Sequence, residues 1–400
     1  RLILSAIATI FITMSAYFFT TYQPEMVFGI FLVCLGFFMH AFLGPVQIIL
    51  SGHERVDRTS VLNTVIQICF VTTGTLVLIK GFSFYSLIVA SYIGVPVAAY
   101  LGAVSIKRLK LATLSFHITP KNWLPILKAS LPFALITFTL MAATDLDTVL
   151  LSLWRSPEEV GWYKAAYNLS FKLLFLKGAL LTTLHPQMAR YYGISKDRVA
   201  KTFNTSFKIL WVFSFPIAIG VSLLAEPLVL LLYTDEFIRS GIVLAILIWA
   251  LPLTNLSSLC GSITVASDKE KKAAKVYLAS ALLNLVSNLI AIPIWGYIGA
   301  AVSTVLTEFV ALGLFYSVLH SEFPLTDLKN TLLKPAVAGL AMAVVILGLP
   351  KLPLGVVIVI GALVFPVVLL ALKPFTRTEL DILGGFWSSL RQRLRRGASA

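Results

Sequence analysis

Apolar runs of about 20 residues recur along the whole chain, separated by short polar breaks, and they constrain its fold more than any other feature. A run of roughly this length is what an α-helix needs to cross the hydrocarbon core of a bilayer. Hydrophobic residues make up 58% of the 400 residues and charged residues only 12%, about half the charged share of soluble domains. The runs lack the two-residue alternation of outer-membrane strands. The sequence therefore predicts an all-α polytopic membrane protein and excludes a soluble globular enzyme or a disordered chain.

The polar breaks divide the chain into about twelve candidate membrane-spanning helices. Twelve spans of roughly 20 residues would fill about 240 positions, close to the number of hydrophobic residues available. The predicted spans are 2–19, 26–50, 61–79, 84–105, 131–153, 160–184, 208–232, 240–261, 274–294, 297–319, 334–349 and 354–372.

Basic residues fall almost entirely on one predicted side of the membrane. With twelve spans the loops alternate between the two sides, and 25 of the 32 lysines and arginines lie on the side of Arg1. The positive-inside rule then places both termini in the cytoplasm. The net charge of +14 is accounted for by these loops, so no nucleic-acid partner is predicted. Only four basic residues lie on the other side: Lys80, Arg155, Arg239 and Lys351.

The remaining three basic residues, Lys164, Lys172 and Lys177, all lie in the sixth predicted span. A charge at the bilayer centre costs about 2.5–3.5 kcal/mol on the translocon scale, so these lysines should line water, pair with carboxylates or reach the interface. Lys164, Asn168 and Lys172 follow one another at intervals of four residues and therefore share one helix face. Lys177 points elsewhere.

Acidic residues in the preceding span offer a partner for the first of these lysines. If the fifth and sixth spans form an antiparallel hairpin with its turn near Arg155, then Asp147 or Asp145 lies level with Lys164. Such a carboxylate is either half of a structural ion pair or a cation or proton site.

Lys172 has no carboxylate at its level on the partner helix. An ammonium group at mid-depth suits the phosphates of an anionic substrate, with snorkelling to the interface or pairing with Glu308 as the alternatives. Glu308 lies near the middle of the tenth predicted span, where it is either a proton or Na⁺ carrier or the structural partner of a lysine.

The longest internal polar stretch, 106–130, divides the chain into two lobes. Its composition predicts a cytoplasmic linker with a short interfacial helix around Trp123. The predicted parts are an N-terminal lobe of four helices (1–105), this linker, a six-helix lobe (131–320), two additional helices (321–372) and a basic cytoplasmic tail (373–400).

Three segments of the chain resemble a known family of transporters. They are ATDLDTVLLSLWRSPEEVGWYKAAYNL (143–169), HPQMARYYG (185–193) and LLNLVSNLIAIPIWGYIGAAVSTVLTE (282–308). Their order, with Pro-Glu-Glu-Val-Gly-x-Tyr followed by Ile-Pro-x-x-Gly-x-x-Gly-Ala-Ala, is similar to that of polysaccharide transporters of the multidrug/oligosaccharidyl-lipid/polysaccharide exporter (MOP) superfamily. These are the Wzx-like O-antigen and exopolysaccharide flippases. The resemblance is clearest over about 120–320.

The resemblance implies a MATE-like fold of two helical lobes and a place in cell-surface polysaccharide biosynthesis. The implied activity is transfer of a polyprenyl-diphosphate-linked oligosaccharide from the cytoplasmic to the outer leaflet of the cell membrane by alternating access. It implies coupling to H⁺ or Na⁺ without another cofactor, and polysaccharide polymerases and glycosyltransferases as partners. In that family the linker precedes the seventh helix rather than the fifth, so about two of fourteen helices are expected before Arg1.

Two other functions compete with this interpretation. A cation-coupled multidrug exporter would share the fold, but the basic face at Lys164 and Lys172 favours an anionic substrate. A membrane-embedded glycosyltransferase or polymerase usually carries a large outer loop, whereas the outer loops here are all short. The sequence has no Gly-rich phosphate loop, HExxH or GxSxG motif, so a transporter is predicted rather than an enzyme.

Overall fold

Helices account for nearly all of the chain that the computed structural model describes, namely residues 2–19, 22–53, 55–112, 125, 145–173, 195–327, 329–350 and 352–375. Within these ranges, eight helical segments are long and apolar enough to cross a membrane. The prediction of an all-α, multi-pass membrane protein is thereby confirmed. Most of the predicted linker, the first part of the fifth predicted span, Lys177 and the basic tail lie outside the described residues.

The N-terminal unit, Arg1–Pro132, contains five described helices. Its core is formed by apolar side chains around Leu43 and Leu50, and glycines allow its helices to approach closely. A Cβ on Gly94 would lie 2.8 Å from the Cα of Ile66, so only glycine permits this approach. The helices are α1 (Leu2–Phe19), α2 (Pro24–Gly52), α3 (Val56–Ile79), α4 (Phe84–Ala90) and α5 (Gly94–Arg108).

The C-terminal unit, Phe133–Ala400, contains nine described helices, two of them short. They are α6 (145–154), α7 (Pro157–Lys172), α8 (Lys196–Leu223), α9 (Ala225–Leu232), α10 (Ser240–Leu247), α11 (Ala250–Ala266), α12 (Glu270–Leu319), α13 (Lys334–Leu347) and α14 (Leu354–Ala371).

Several predicted spans differ from the helices in their ends or continuity. The span predicted at 208–232 begins at Lys196 and breaks at Leu224 between α8 and α9. Its first turns were missed because they are amphipathic rather than uniformly apolar. Val199, Phe203 and Phe207 recur every four residues and are buried in the core, whereas the intervening positions are largely polar. The span predicted at 84–105 is likewise two helices, α4 and α5.

The ninth and tenth predicted spans form the two halves of α12, which fold back on each other at Gly296. This glycine has φ 58° and ψ −136°, a conformation that other residues rarely adopt. Beyond the turn, Gly299 lies directly against the carbonyl group of Ala291. Farther along, Asn284 Nδ2 lies 3.5 Å from Thr307 Oγ1 on the opposite half. The small residues of the motif thus allow the hairpin to close tightly.

Candidate functional site

Helix α7 carries the basic face predicted from the sequence. Ser156 caps its N-terminus, because its hydroxyl accepts a hydrogen bond from the Glu159 backbone N–H at 3.5 Å, and Pro157 occupies the first turn. Lys164, Asn168 and Lys172 follow at four-residue spacing along the helix. Asn168 and Lys172 are exposed and Lys164 is partly exposed, so the three side chains form a polar face.

Lys164 pairs with Asp145 rather than with Asp147. Its Nζ lies 2.8 Å from Asp145 Oδ1 and 4.9 Å from the centre of the Tyr167 ring. The two charged side chains are 34% and 61% exposed, so this ion pair lies at the surface of the unit. The Asp145 carboxylate therefore neutralises part of the positive charge of Lys164.

Asp147 is buried among hydroxyl groups. It is 5% exposed. Its Oδ2 accepts hydrogen bonds from the hydroxyl groups of Tyr163 and Thr304, the latter at 3.4 Å, and its Oδ1 accepts one from the Thr148 backbone N–H at 2.8 Å. None of these donors is a basic group. An uncompensated negative charge is costly in such a buried position. Protonation of the carboxylate, or a cation bound beside it, would remove this cost.

Glu308 lies one helical turn beyond Thr304 in the second half of α12. It is partly buried, and its Oε2 accepts a hydrogen bond from Ser257 Oγ of α11 at 3.1 Å. Asn288, fully buried in the first half of α12, donates to the Asn284 side chain at 3.1 Å. Polar groups therefore run through the interior of the C-terminal unit, between helices that are otherwise apolar.

Lys172 is the last residue of α7, and its side chain is exposed. The structure shows no ion pair between Lys172 and Glu308, both of which are described residues, and the Glu308 carboxylate accepts a hydrogen bond from Ser257. The described ranges also contain no group of three or more His, Cys, Asp or Glu side chains that could hold a metal ion. The structure therefore gives two features: an exposed basic face and, separately, a buried carboxylate.

Two hydroxyl groups that bind Asp147, those of Tyr163 and Thr304, were not predicted from the sequence. Tyr163 precedes Lys164, and the predicted hairpin register already placed that position level with Asp147. Its role was missed because a tyrosine in an apolar span resembles a core residue. Thr304 lies 157 residues from Asp147, and only the packing of α12 on α6 and α7 brings the two together.

A second missed feature is an electrostatic clamp at the turn of α12, formed by Arg155 and Glu159. The Arg155 guanidinium donates to the carbonyl oxygens of Ile292 at 3.1 Å and Pro293 at 2.5 Å, which end the first half of α12. Glu159 Oε2 accepts from the Tyr297 backbone N–H at 3.3 Å, at the start of the second half. The positive group thus faces helix carbonyls and the negative group a helix N–H, as the helix dipole favours.

This helical architecture is the one found in MOP-superfamily transporters. The structure superposes on the lipid II flippase MurJ in an inward closed conformation with a TM-score of 0.71, at 15% identity, covering 91% of this chain and 80% of that one. It also matches a multidrug resistance MATE family transporter in an outward-facing conformation, with a TM-score of 0.52, 16% identity, and coverage of 80% and 76%. These similarities show that the chain shares the fold of these two proteins.

The family follows from the sequence itself. The pattern of the polysaccharide biosynthesis protein family matches residues 1–242, more than half of the chain, and the chain belongs to that family. It is also 24% identical over 343 residues to the probable low-salt glycan biosynthesis flippase Agl15 of Haloferax volcanii, covering 84% of this chain and 72% of that protein. The predicted resemblance to polysaccharide transporters of the MOP superfamily is confirmed.

Proposed function

We propose that this protein is a flippase that moves a polyprenyl-diphosphate-linked oligosaccharide from the cytoplasmic to the outer leaflet of the cell membrane by alternating access. The family, the flippase relative in Haloferax volcanii and the MurJ-like fold support this class of substrate. The observation that carries the proposal is the polar face of α7, because it places two ammonium groups on one side of a helix within the sixth predicted span.

Lys172 is the residue best suited to the diphosphate. Its ammonium group is a compact charge with three rotatable donors, which fits phosphate oxygens. Lys164 contributes less net charge because Asp145 lies 2.8 Å away. Asn168, between the two lysines, adds an amide that donates to phosphate or sugar oxygens. A cationic drug, the substrate of the alternative exporter function, would be repelled by Lys172.

Substitution of Lys172 tests the substrate proposal. We expect Lys172→Glu to reduce glycan export by at least about tenfold, because it removes a charge-assisted hydrogen bond worth about 1.5–3 kcal/mol and adds repulsion. Export is measured as surface glycan in cells whose only copy is the variant, with membrane amounts matched. Lys271→Glu, the same charge change at an exposed lysine at the start of α12, is the control and should export within about twofold of the parent.

Normal export by Lys172→Glu would contradict the role of this residue. Co-purification of the bound lipid provides a second test. Native mass spectrometry of the parent protein should detect a bound polyprenyl diphosphate sugar, and the same measurement on Lys172→Ala should detect none. Absence of any such lipid from the parent, with ordinary phospholipids retained, would favour the multidrug exporter.

We propose further that Asp147 and Glu308 couple transport to an H⁺ or Na⁺ gradient. Burial of Asp147 among hydroxyl groups supports this role, since a proton or a cation would neutralise it in the apolar interior. Glu308 lies one turn away on the helix that carries Thr304, which supports coupling between the two carboxylates. Asp145 belongs instead to the ion pair with Lys164.

A further inference from the structure

The N-terminal unit contains a polar groove at one end of the α2–α3 hairpin. Its volume is about 430 Å³, within the range of about 300–1,000 Å³ typical of small-molecule sites. It lies between the last two turns of α2 and the first two turns of α3, and it shares no residue with the site described above. Its lining residues are Gly44, Gln47, Ile48, Ser51, Thr59 and Asn63.

The groove offers neutral hydrogen-bonding groups that are only partly used within the protein. Gln47 Nε2 donates to Asn63 Oδ1 at 2.9 Å, and this hydrogen bond does not use the Gln47 carbonyl oxygen or the Asn63 amino group of these two lining side chains. The hydroxyl groups of Ser51 and Thr59 lie 3.5 Å apart, the limit of a hydrogen bond. Each of the two helices thus contributes one amide and one hydroxyl group to the groove.

Such groups are costly in helices of this kind unless a polar ligand or water meets them. Both α2 and α3 are apolar and long enough to span a bilayer, so the polar side chains at their ends are met by water or by a polar ligand. The four side chains carry no charge, so they do not select an anion. They match a neutral group that itself presents many donors and acceptors in a small volume, which is the chemistry of sugar hydroxyls.

Positive charge beside the groove fits a sugar that is joined to a phosphate. Arg55 ends the turn before α3, and Thr59 Oγ1 lies 3.5 Å from its carbonyl oxygen, so the arginine is one helical turn from the groove wall. Arg58 is also exposed there, although Asp57 lies 3.6 Å from its guanidinium. A sugar in the groove would therefore place its attached diphosphate near an arginine.

We infer that this groove binds the first sugar residues of the lipid-linked glycan, with Gln47 and Asn63 as the specificity-determining pair. The inference rests on the proposed flippase function and adds a sugar subsite in the N-terminal unit.

Binding of two matched lipids tests this subsite. The first is the lipid-linked oligosaccharide extracted from the membranes of the source organism, and the second is the sugar-free polyprenyl diphosphate of the same chain length. Dissociation constants for both are measured on the full chain in lipid nanodiscs. We expect the parent to bind the glycan-bearing lipid about tenfold more tightly, as one or two neutral hydrogen bonds would give.

The Gln47→Leu/Asn63→Leu variant should lose this preference while binding the sugar-free lipid as the parent does. Gln67→Leu is the matched control, because Gln67 is an exposed amide one turn beyond Asn63 on α3 and does not line the groove. It should keep the full preference. Thermal unfolding of each variant shows whether it is folded.

The possible outcomes separate this inference from the proposed function. If the parent binds neither lipid, the flippase proposal fails. If the parent binds both equally, or the double variant keeps the preference for the glycan-bearing lipid, the flippase proposal stands and the sugar subsite is overturned.

Discussion

At the scale of single residues, Asp147 differs from Asp145 in a way that the sequence does not reveal. Asp145 is exposed and paired with Lys164, whereas Asp147 is buried and held by hydroxyl groups. We expect Asp147→Asn to uncouple transport from the ion gradient, since the amide keeps the shape of the carboxylate but is not protonated and has no negative charge for a cation to neutralise. Uptake by proteoliposomes with an imposed Na⁺ or pH gradient measures this.

Asp145→Asn provides the control for that experiment. It breaks an exposed ion pair worth about 0–1 kcal/mol, so its transport should depend on the gradient as the parent's does. Glu308→Gln should resemble Asp147→Asn. Retention of full gradient dependence by both Asp147→Asn and Glu308→Gln would remove these residues from the coupling role.

At the scale of elements, the turn inside α12 depends on one glycine and two charges. A Cβ on Gly296 would require an unfavourable positive φ, costing about 1–3 kcal/mol, and would collide with the Glu159 carboxylate that bonds to the next N–H. We therefore expect Gly296→Ala to lower the thermal unfolding temperature and to weaken the clamp with Arg155. Differential scanning fluorimetry of purified protein measures the shift.

Gly313→Ala is the matched comparison. Gly313 lies on the second half of the same helix, and a Cβ there meets no atom within 4 Å. Alanine is better than glycine inside a helix by about 0.5–1 kcal/mol, so this variant should unfold at the parent temperature or slightly above it. Equal unfolding temperatures for the two variants would mean that the backbone at Gly296 adapts without cost.

The helices themselves could be predicted from the sequence because hydropathy is a local property of the chain. The spans 2–19 and 354–372 differ from α1 and α14 by at most one residue. Contacts between helices could not be predicted in the same way. In a membrane, lipid-facing and protein-facing surfaces are both apolar, so periodicity does not distinguish them. Arg155 and Ile292 are 137 residues apart in the sequence, and their contact could be found only from the structure.

In the candidate site, too, the local features could be predicted from the sequence and the contacts between helices could not. The four-residue spacing of Lys164, Asn168 and Lys172 sufficed to place them on one face, because spacing alone determines position around a helix. The choice between Asp145 and Asp147 as the lysine's partner required side-chain burial. The surroundings of Asp147 include Thr304, which lies 157 residues away on α12.

At the scale of the whole molecule, the distribution of basic residues predicts how the chain crosses the membrane. With 25 of 32 lysines and arginines on one predicted side, insertion in the opposite orientation would carry this charge across the bilayer. The turn between α2 and α3, beside the polar groove, would then face the cytoplasm. A glycan assembled on its lipid in the cytoplasmic leaflet would meet the groove before transport.

Single-cysteine labelling tests this orientation on the intact protein. Cys34, Cys69 and Cys260 are first replaced by alanine, and a cysteine is introduced at Lys80 or at Lys271, both exposed in the structure. We expect a membrane-impermeant maleimide to label Lys80→Cys in right-side-out vesicles and Lys271→Cys only in inside-out vesicles. The reverse pattern would invert the topology and place the groove on the outer side, where it could serve only release of the glycan. Labelling of both positions from one side would mean that the number of spans between them is even rather than odd.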